Sequence, residues 1–144
     1  MQNPIGDSVR WHGIYSSEKL AIISPQGSIT YAEFWSRAIR VADGLSSIGV
    51  APGDRVALMM ANGAPYIELY VAAALLGAAV VPVNFRFVAK EVEYLINHSG
   101  AKALVYDSIA APTVREARSR FTSEGLRYVA LDGDRLDVAS RTIA

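Results

Sequence analysis

Apolar residues follow two alternating patterns along this chain. In four segments they recur every three or four residues among polar positions, which is typical of amphipathic helices, and short apolar runs lie between those segments. The segments with helical spacing are 31–48, 64–76, 89–98 and 108–120. The apolar runs, which we interpret as buried strands, are 55–60, 79–83, 103–106 and 127–131.

Local signals mark several element ends. Thr30 and Glu33 have the spacing of a capping box, in which two side chains bond backbone N–H groups at a helix start. Pro82 lacks an N–H group, so we expect its strand to be interrupted there or to lie near its end. A Pro-Gln-Gly turn at 25–27 predicts a short hairpin. Residues 1–18 show no clear period, and we expect them to wrap around the surface.

Strands that alternate with helices predict an α/β fold. We expect a doubly wound, mainly parallel sheet with helices on both faces, preceded by the short hairpin. We assign residues 1–131 to this unit and residues 132–144 to a polar tail. Ligands of such sheets bind beyond the carboxyl ends of the strands, which here are 61–63, 84–86 and 107–108.

Composition excludes several classes of function. The chain has 144 residues, the length of one domain, and Lys plus Arg and Asp plus Glu both number 14. The balanced charge argues against a nucleic-acid partner, and the absence of cysteine excludes disulfides and thiolate chemistry. The weakly polar run 71–83 is too short to span a bilayer, and no signal peptide is visible. We therefore expect a cytoplasmic protein without a membrane span.

Candidate chemistry is sparse. Neither glycine-rich phosphate motif, G-x-G-x-x-G or G-x-x-x-x-G-K-[ST], occurs, and no residues have metal-ligand or triad spacing. We therefore assign no catalytic residue and no metal ligand. Asn84, Phe85 and Arg86 follow a strand, and we predict that they form the rim of a substrate-binding pocket for a carboxylate or phosphate with an acyl group. The alternative is a strand-exit loop that is held by its own hydrogen bonds.

Four segments carry a family resemblance. Residues 29–34 are ITYAEF, 49–57 are GVAPGDRVA, 77–84 are GAAVVPVN, and 93–102 are EYLINHSGAK. In this order and spacing they resemble the amino-terminal region of acyl-CoA synthetases in the adenylate-forming (AMP-binding) superfamily. Asn84, where amino-acid-activating members usually have Asp, is more similar to the fatty-acid and related acid–CoA ligases.

The resemblance implies a two-step reaction in the parent enzyme. ATP and a carboxylate, with Mg²⁺, give an acyl-adenylate and pyrophosphate, and coenzyme A then displaces AMP. The family's phosphate loop, magnesium Glu, ribose Asp and C-terminal Lys have no counterpart in this sequence. The resemblance therefore implies a partial N-terminal subdomain that is inactive alone and binds no cofactor itself. Its expected partners are the remainder of the parent enzyme and a possible second copy.

Two other interpretations remain open at this point. The chain could be a self-sufficient flavodoxin-like binding or signalling domain, or a catalytically inactive interaction module with the same fold. A phosphoacceptor domain needs acidic residues clustered at the strand ends. Here only Asp107 is suitable, because the other strand ends carry Met60, Asn62 and Asn84.

Overall fold

The computed structural model describes residues 4–131, so the predicted polar tail 132–144 lies outside the described residues. The predicted strands and hairpin are present, and their ends agree with the prediction to within one residue. The elements in chain order are α1 (Pro4–Tyr15), β1 (Leu20–Ser24), β2 (Gly27–Thr30), α2 (Tyr31–Ser47), β3 (Arg55–Met59), α3 (Ala64–Leu75), β4 (Ala79–Pro82), α4 (Ala89–Ser99), β5 (Ala103–Tyr106), α5 (Ala111–Ala117), a 3₁₀ turn (Arg118–Arg120) and β6 (Arg127–Ala130).

Strands β3 to β6 form one parallel sheet in the order β4-β3-β5-β6, and β1 and β2 form a separate antiparallel hairpin. From β3 the chain first moves to one side, to β4, and then crosses back over β3 to β5. The direction of winding therefore reverses between β3 and β5. In open α/β sheets a crevice for ligands forms where the strand order reverses in this way.

Helices cover both faces of this sheet, as predicted for a doubly wound fold. Leu58 of β3 packs in a cluster with residues of α2 and α3, whereas its neighbour Met59 packs with residues of α4 and α5. Each of these side chains is fully buried, which stabilises the fold by about 1.5–3 kcal/mol per residue. The hairpin and α1 pack on the outer side of α2 and α3 around Phe34 and Val71.

The capping box at the start of α2 is formed as predicted. The backbone N–H of Glu33 donates to Thr30 Oγ1 at 3.3 Å, and the backbone N–H of Thr30 donates to Glu33 Oε2 at 2.8 Å. This backbone hydrogen bond, followed by the bond from the Thr30 hydroxyl, lowers the pKa of the Glu33 carboxyl. The interaction fixes the point at which the hairpin turns into α2.

Two predictions about helices were wrong. Residues 4–15, expected to wrap around the surface without regular structure, form α1. Gly13 lets α1 lie close to α2, because a Cβ atom there would be 2.8 Å from Cβ of Trp35. The last helix, predicted at 108–120, begins three residues later, at Ala111, and continues only as a 3₁₀ turn after Ala117.

The exits of β3 and β5 are tied together by Asp107. Its Oδ2 accepts from the backbone N–H of Ala61 at 2.8 Å, and its Oδ1 accepts from that of Ala110 at 3.0 Å. Asp107 thus caps the turn before α5 and holds the β3 exit beside the β5 exit. Hydrogen bonds to a carboxylate are stronger than those between neutral groups, so these two bonds stabilise the contact between the β3 and β5 exits.

No helix among residues 4–131 is both long enough and apolar enough to cross a membrane.

The Thr30→Ala substitution should destabilise the chain by about 1 kcal/mol, because a backbone N–H of the first turn of α2 loses its acceptor. Urea unfolding followed by circular dichroism measures this as a lower midpoint with an unchanged slope. Thr122→Ala, at an exposed position, is the control and should leave the midpoint in place. Equal midpoints for the two variants would show that the capping box contributes nothing.

The Asp107→Ala substitution should destabilise the chain by about 2–4 kcal/mol, because two backbone N–H groups lose their acceptor together. Asp43→Ala removes an exposed carboxylate from α2 and serves as the matched control. Hydrogen exchange at the amides of Ala61 and Ala110 gives a local readout, and both should exchange faster in the Asp107 variant. Unchanged exchange at these two amides would contradict the role given to Asp107.

Candidate functional site

A cleft of about 350 Å³ lies at the carboxyl edge of the sheet, where the winding reverses. The hairpin tip forms one wall, the β3 exit and first turn of α3 form the second, and Asp107 and Leu131 close the third. Its position follows from the topology, because α3 and α5 leave adjacent strands toward opposite faces. The volume lies within the roughly 300–1,000 Å³ typical of small-molecule sites.

Two ionic side chains, Arg37 and Asp107, line this cleft among the described residues. Both oxygens of Asp107 accept from backbone N–H groups, so its negative charge is partly compensated within the fold. Gln26, Ser28 and Asn62 add neutral polar side chains to the lining. The described lining of the cleft therefore combines a cation with a hydrogen-bonded carboxylate.

Arg37 also contacts the buried carboxylate of Glu68 in α3. The distance from Nη1 to Oε1 is 3.5 Å, and the side chains of Arg37 and Glu68 are 39% and 5% exposed. Burial raises the pKa of Glu68, and the charges of Arg37 and then Arg40 oppose this rise. Glu68 is the single buried charged residue among residues 4–131.

The predicted substrate residues lie away from the cleft. Asn84, Phe85 and Arg86 follow β4, and none of them lines the cleft. Asn84 Oδ1 accepts from the backbone N–H of Arg86 at 3.0 Å, and the Arg86 guanidinium lies 5.5 Å from the ring centre of Phe85. Of the three predicted strand ends, the structure brings together 61–63 and Asp107 but not 84–86.

Sequence reasoning missed Arg37 and Glu68. A signal for Glu68 was present, because it is the one charged residue in the otherwise apolar helix APYIELYVAAAL. A charge in such a helix needs a partner when the helix is buried. The sequence contains no signal that pairs it with Arg37, 31 positions earlier.

The arrangement is suited to binding rather than to acid–base chemistry. No group of three or more His, Cys, Asp or Glu side chains within residues 4–131 is placed to hold a metal ion. Among the described residues that line the cleft there is no histidine, and Asp107, the carboxylate of that lining, accepts from two backbone N–H groups. A guanidinium beside neutral hydrogen-bonding groups is instead the type of site that binds anions.

Comparisons of the sequence with known proteins identify the same family over most of the chain. The profile of the family described as AMP-binding enzyme matches residues 10–141. The long-chain-fatty-acid–CoA ligase FadD13 of Mycobacterium tuberculosis is 37% identical over 123 residues, which are 84% of this chain and 24% of that ligase. A feruloyl-CoA synthase of a Streptomyces species is 41% identical over 87 residues, 60% of this chain and 18% of that protein.

Solved structures agree with the sequence matches. The N-terminal domain of FACL13 from Mycobacterium tuberculosis superimposes with a TM-score of 0.83 at 34% identity, covering 92% of this chain and 34% of that chain. A benzoate CoA ligase from Burkholderia xenovorans superimposes with a TM-score of 0.81 at 25% identity, covering 89% and 26%. The chain thus spans about a quarter of the length of the ligase FadD13. It belongs to the AMP-binding enzyme family and matches the N-terminal region of the family's acyl-CoA ligases.

Proposed function

We propose that this chain acts as the amino-terminal part of an ATP-dependent acid–CoA ligase. The observation that supports this most directly is the 37% identity to a long-chain-fatty-acid–CoA ligase over 84% of the chain. In the proposed reaction the acid's carboxylate attacks ATP, which yields an acyl-adenylate and pyrophosphate. The thiol of coenzyme A then attacks the acyl carbon and releases AMP. ATP, Mg²⁺ and coenzyme A are the cofactors of that whole enzyme.

The chain alone is expected to be inactive. Adenylation develops negative charge on the phosphates, and catalysis requires donors and a metal ion placed against that charge. This sequence has no glycine-rich phosphate loop that could supply such donors. We propose that the remainder of the parent enzyme supplies the phosphate and metal ligands. We also propose the cytoplasm as its compartment, because ATP and coenzyme A are available there.

For the acid we propose a fatty acid or a related carboxylic acid, with Asn84, Phe85 and Arg86 at the rim of its pocket. Phe85 is partly exposed, so its ring is free to contact an acyl chain, and Arg86 can face a carboxylate beside it. Asn84 holds the turn through its bond to the N–H of Arg86. The loop therefore combines an apolar surface, a cation and a fixed backbone.

A second candidate function is that of a self-sufficient flavodoxin-like binding or interaction domain without catalysis. The observation that favours it is the cleft at the reversal of the sheet, which is lined by residues within the range 24–131. This candidate requires a ligand for the isolated chain, whereas the ligase candidate requires the rest of an enzyme.

The third part of the proposal concerns partners. We propose that this chain contacts the remainder of the parent ligase or a second copy of itself. Strands β4 and β6 are the two edges of the described sheet, and each can pair with a further strand. Trp11 and Tyr15 on α1 and Ile23 on β1 are large apolar side chains that are exposed. Such surfaces are typical of interaction sites.

The purified chain should release no pyrophosphate above a heat-denatured sample when supplied with ATP, Mg²⁺ and a panel of fatty and aromatic acids. The reason is that the donors that neutralise the phosphates are missing from its sequence. Turnover that follows the chain through gel filtration would contradict this prediction.

An exchange experiment tests the parent activity. The region of the Mycobacterium tuberculosis ligase that matches this chain is replaced by the 123 matching residues. The chimera should form a thioester from palmitate and coenzyme A, and a folded chimera that binds ATP but forms none would contradict the proposal. Within the chimera, Arg86→Gln should raise the KM for the acid several-fold, whereas Arg115→Gln, at an exposed position of α5, should not.

A further inference from the structure

The Arg37–Glu68 contact is weak for a buried ion pair. Charge-assisted N–H···O bonds are usually about 2.7–2.9 Å long and, for arginine, often bidentate. Here one nitrogen faces one oxygen at 3.5 Å, although Glu68 is almost completely removed from water. The guanidinium is therefore only loosely held by its internal counter-ion.

Arg37 reaches from this buried contact into the cleft. Its guanidinium has five N–H donors, and Nη1 faces Glu68 while the side chain as a whole is 39% exposed. The same side chain lines the cleft, where Gln26, Ser28 and Asn62 add neutral hydrogen-bonding groups. Donors that Glu68 does not use are thus available to a bound molecule.

The charge of the cleft favours an anion. Asp107 is the other ionic side chain that lines it among the described residues, and its two oxygens already accept from Ala61 and Ala110. Arg37 is the one cation of the described lining. A planar guanidinium matches the two oxygens of a carboxylate or a phosphate, which a lysine would bind only as a point charge.

We propose that this cleft binds a small organic molecule through its carboxylate or phosphate group, with Arg37 as the anchor and with Glu68 as the internal carboxylate that the ligand displaces. The proposal does not depend on the ligase activity, because it uses none of the family's nucleotide motifs. The proposal also gives Glu68 a role in setting the ligand affinity. An anion bound to Arg37 and the ionised Glu68 compete for one guanidinium, so ligand affinity should depend on the protonation of Glu68.

The direction of this pH dependence follows from the contacts. The charged groups that act on Glu68 are Arg37 and Arg40, both on α2. Arg37 also interacts with the exposed carboxylate of Glu33 one turn earlier, and Asp107 faces the same cleft from the β5 exit. Burial raises the pKa of Glu68, so this carboxyl takes up its proton at a higher pH than an exposed glutamate. As the pH falls, neutral Glu68 releases Arg37, and anion binding should strengthen.

The test is an NMR titration of the ¹⁵N-labelled chain with three probes: benzoate, inorganic phosphate and benzenesulfonate. Benzoate and phosphate distinguish a carboxylate from a phosphate ligand, and benzenesulfonate stays charged at every pH used. Saturable shifts are expected at the amides of Asn62 and Gly63 and at the Arg37 side chain. The absence of saturable shifts in the cleft with all three probes would overturn the proposal.

Variants separate the anchor from a general effect of positive charge. Arg37→Gln should weaken binding about tenfold or more, because the charge-assisted contact is lost. Arg115→Gln, at an exposed position of α5 that does not line the cleft, is the control and should bind nearly as the parent does. Equal weakening in the two variants would overturn the assignment of Arg37. If Arg37→Gln does not fold, Arg37→Lys and Glu68→Gln test whether Arg37 is the anchor.

Glu68→Gln tests the competition directly. This variant should bind benzenesulfonate more tightly than the parent where Glu68 is ionised, and the two affinities should converge as the pH is lowered and Glu68 gains its proton. A pH dependence common to both proteins does not come from Glu68 and is removed by the comparison. Weaker binding by Glu68→Gln, or the same pH profile in both proteins, would show that Glu68 only fills space.

Discussion

The carboxylate of Asp107 joins the two strand exits at the place in the described sheet where the chain reverses its winding. Parallel strands are held side by side by backbone bonds, but beyond their last residues nothing obliges two exits to stay together. Asp107 joins them by accepting from Ala61 after β3 and from Ala110 before α5. The walls of the cleft and the starting point of α5 both depend on this side chain.

Most of the fold was predictable because its signals are local. The capping box of Thr30 and Glu33 and the proline that ends β4 act within a few residues, and both appear as expected. Helix α1 was missed because its stability comes from packing against α2 at Gly13 and Trp35, a contact between distant segments. The start of α5 was misplaced because Asp107 caps a turn rather than the helix itself. Pro112, typical of a first helical turn, was the better signal.

The candidate site was harder to predict for a topological reason. Sequence reasoning places every strand exit at the same edge of a parallel sheet, but it does not reveal the order of the strands. The observed order puts β4 at an edge and β5 beside β3. The exit that carries Asn84, Phe85 and Arg86 is therefore separated from the crevice, although it lies at the correct end of its strand. Among the described strands, β3 and β5 flank the reversal, and the cleft lies beside their exits.

The burial of Glu68 follows from the layered packing rather than from the cleft. Helix α3 is covered on one side by the sheet, through Leu69, and on another by the hairpin and α1, through Val71. Residue 68 falls between these two covered sides, so any residue there is buried. A carboxylate at this position would be strongly unfavourable without a cation, and α2 supplies one in Arg37. Because Arg37 also lines the cleft, the electrostatics of the protein interior and of the cleft are joined through a single side chain. A molecule that binds Arg37 must therefore alter the environment of Glu68, and the protonation of Glu68 must in turn alter the affinity of the cleft.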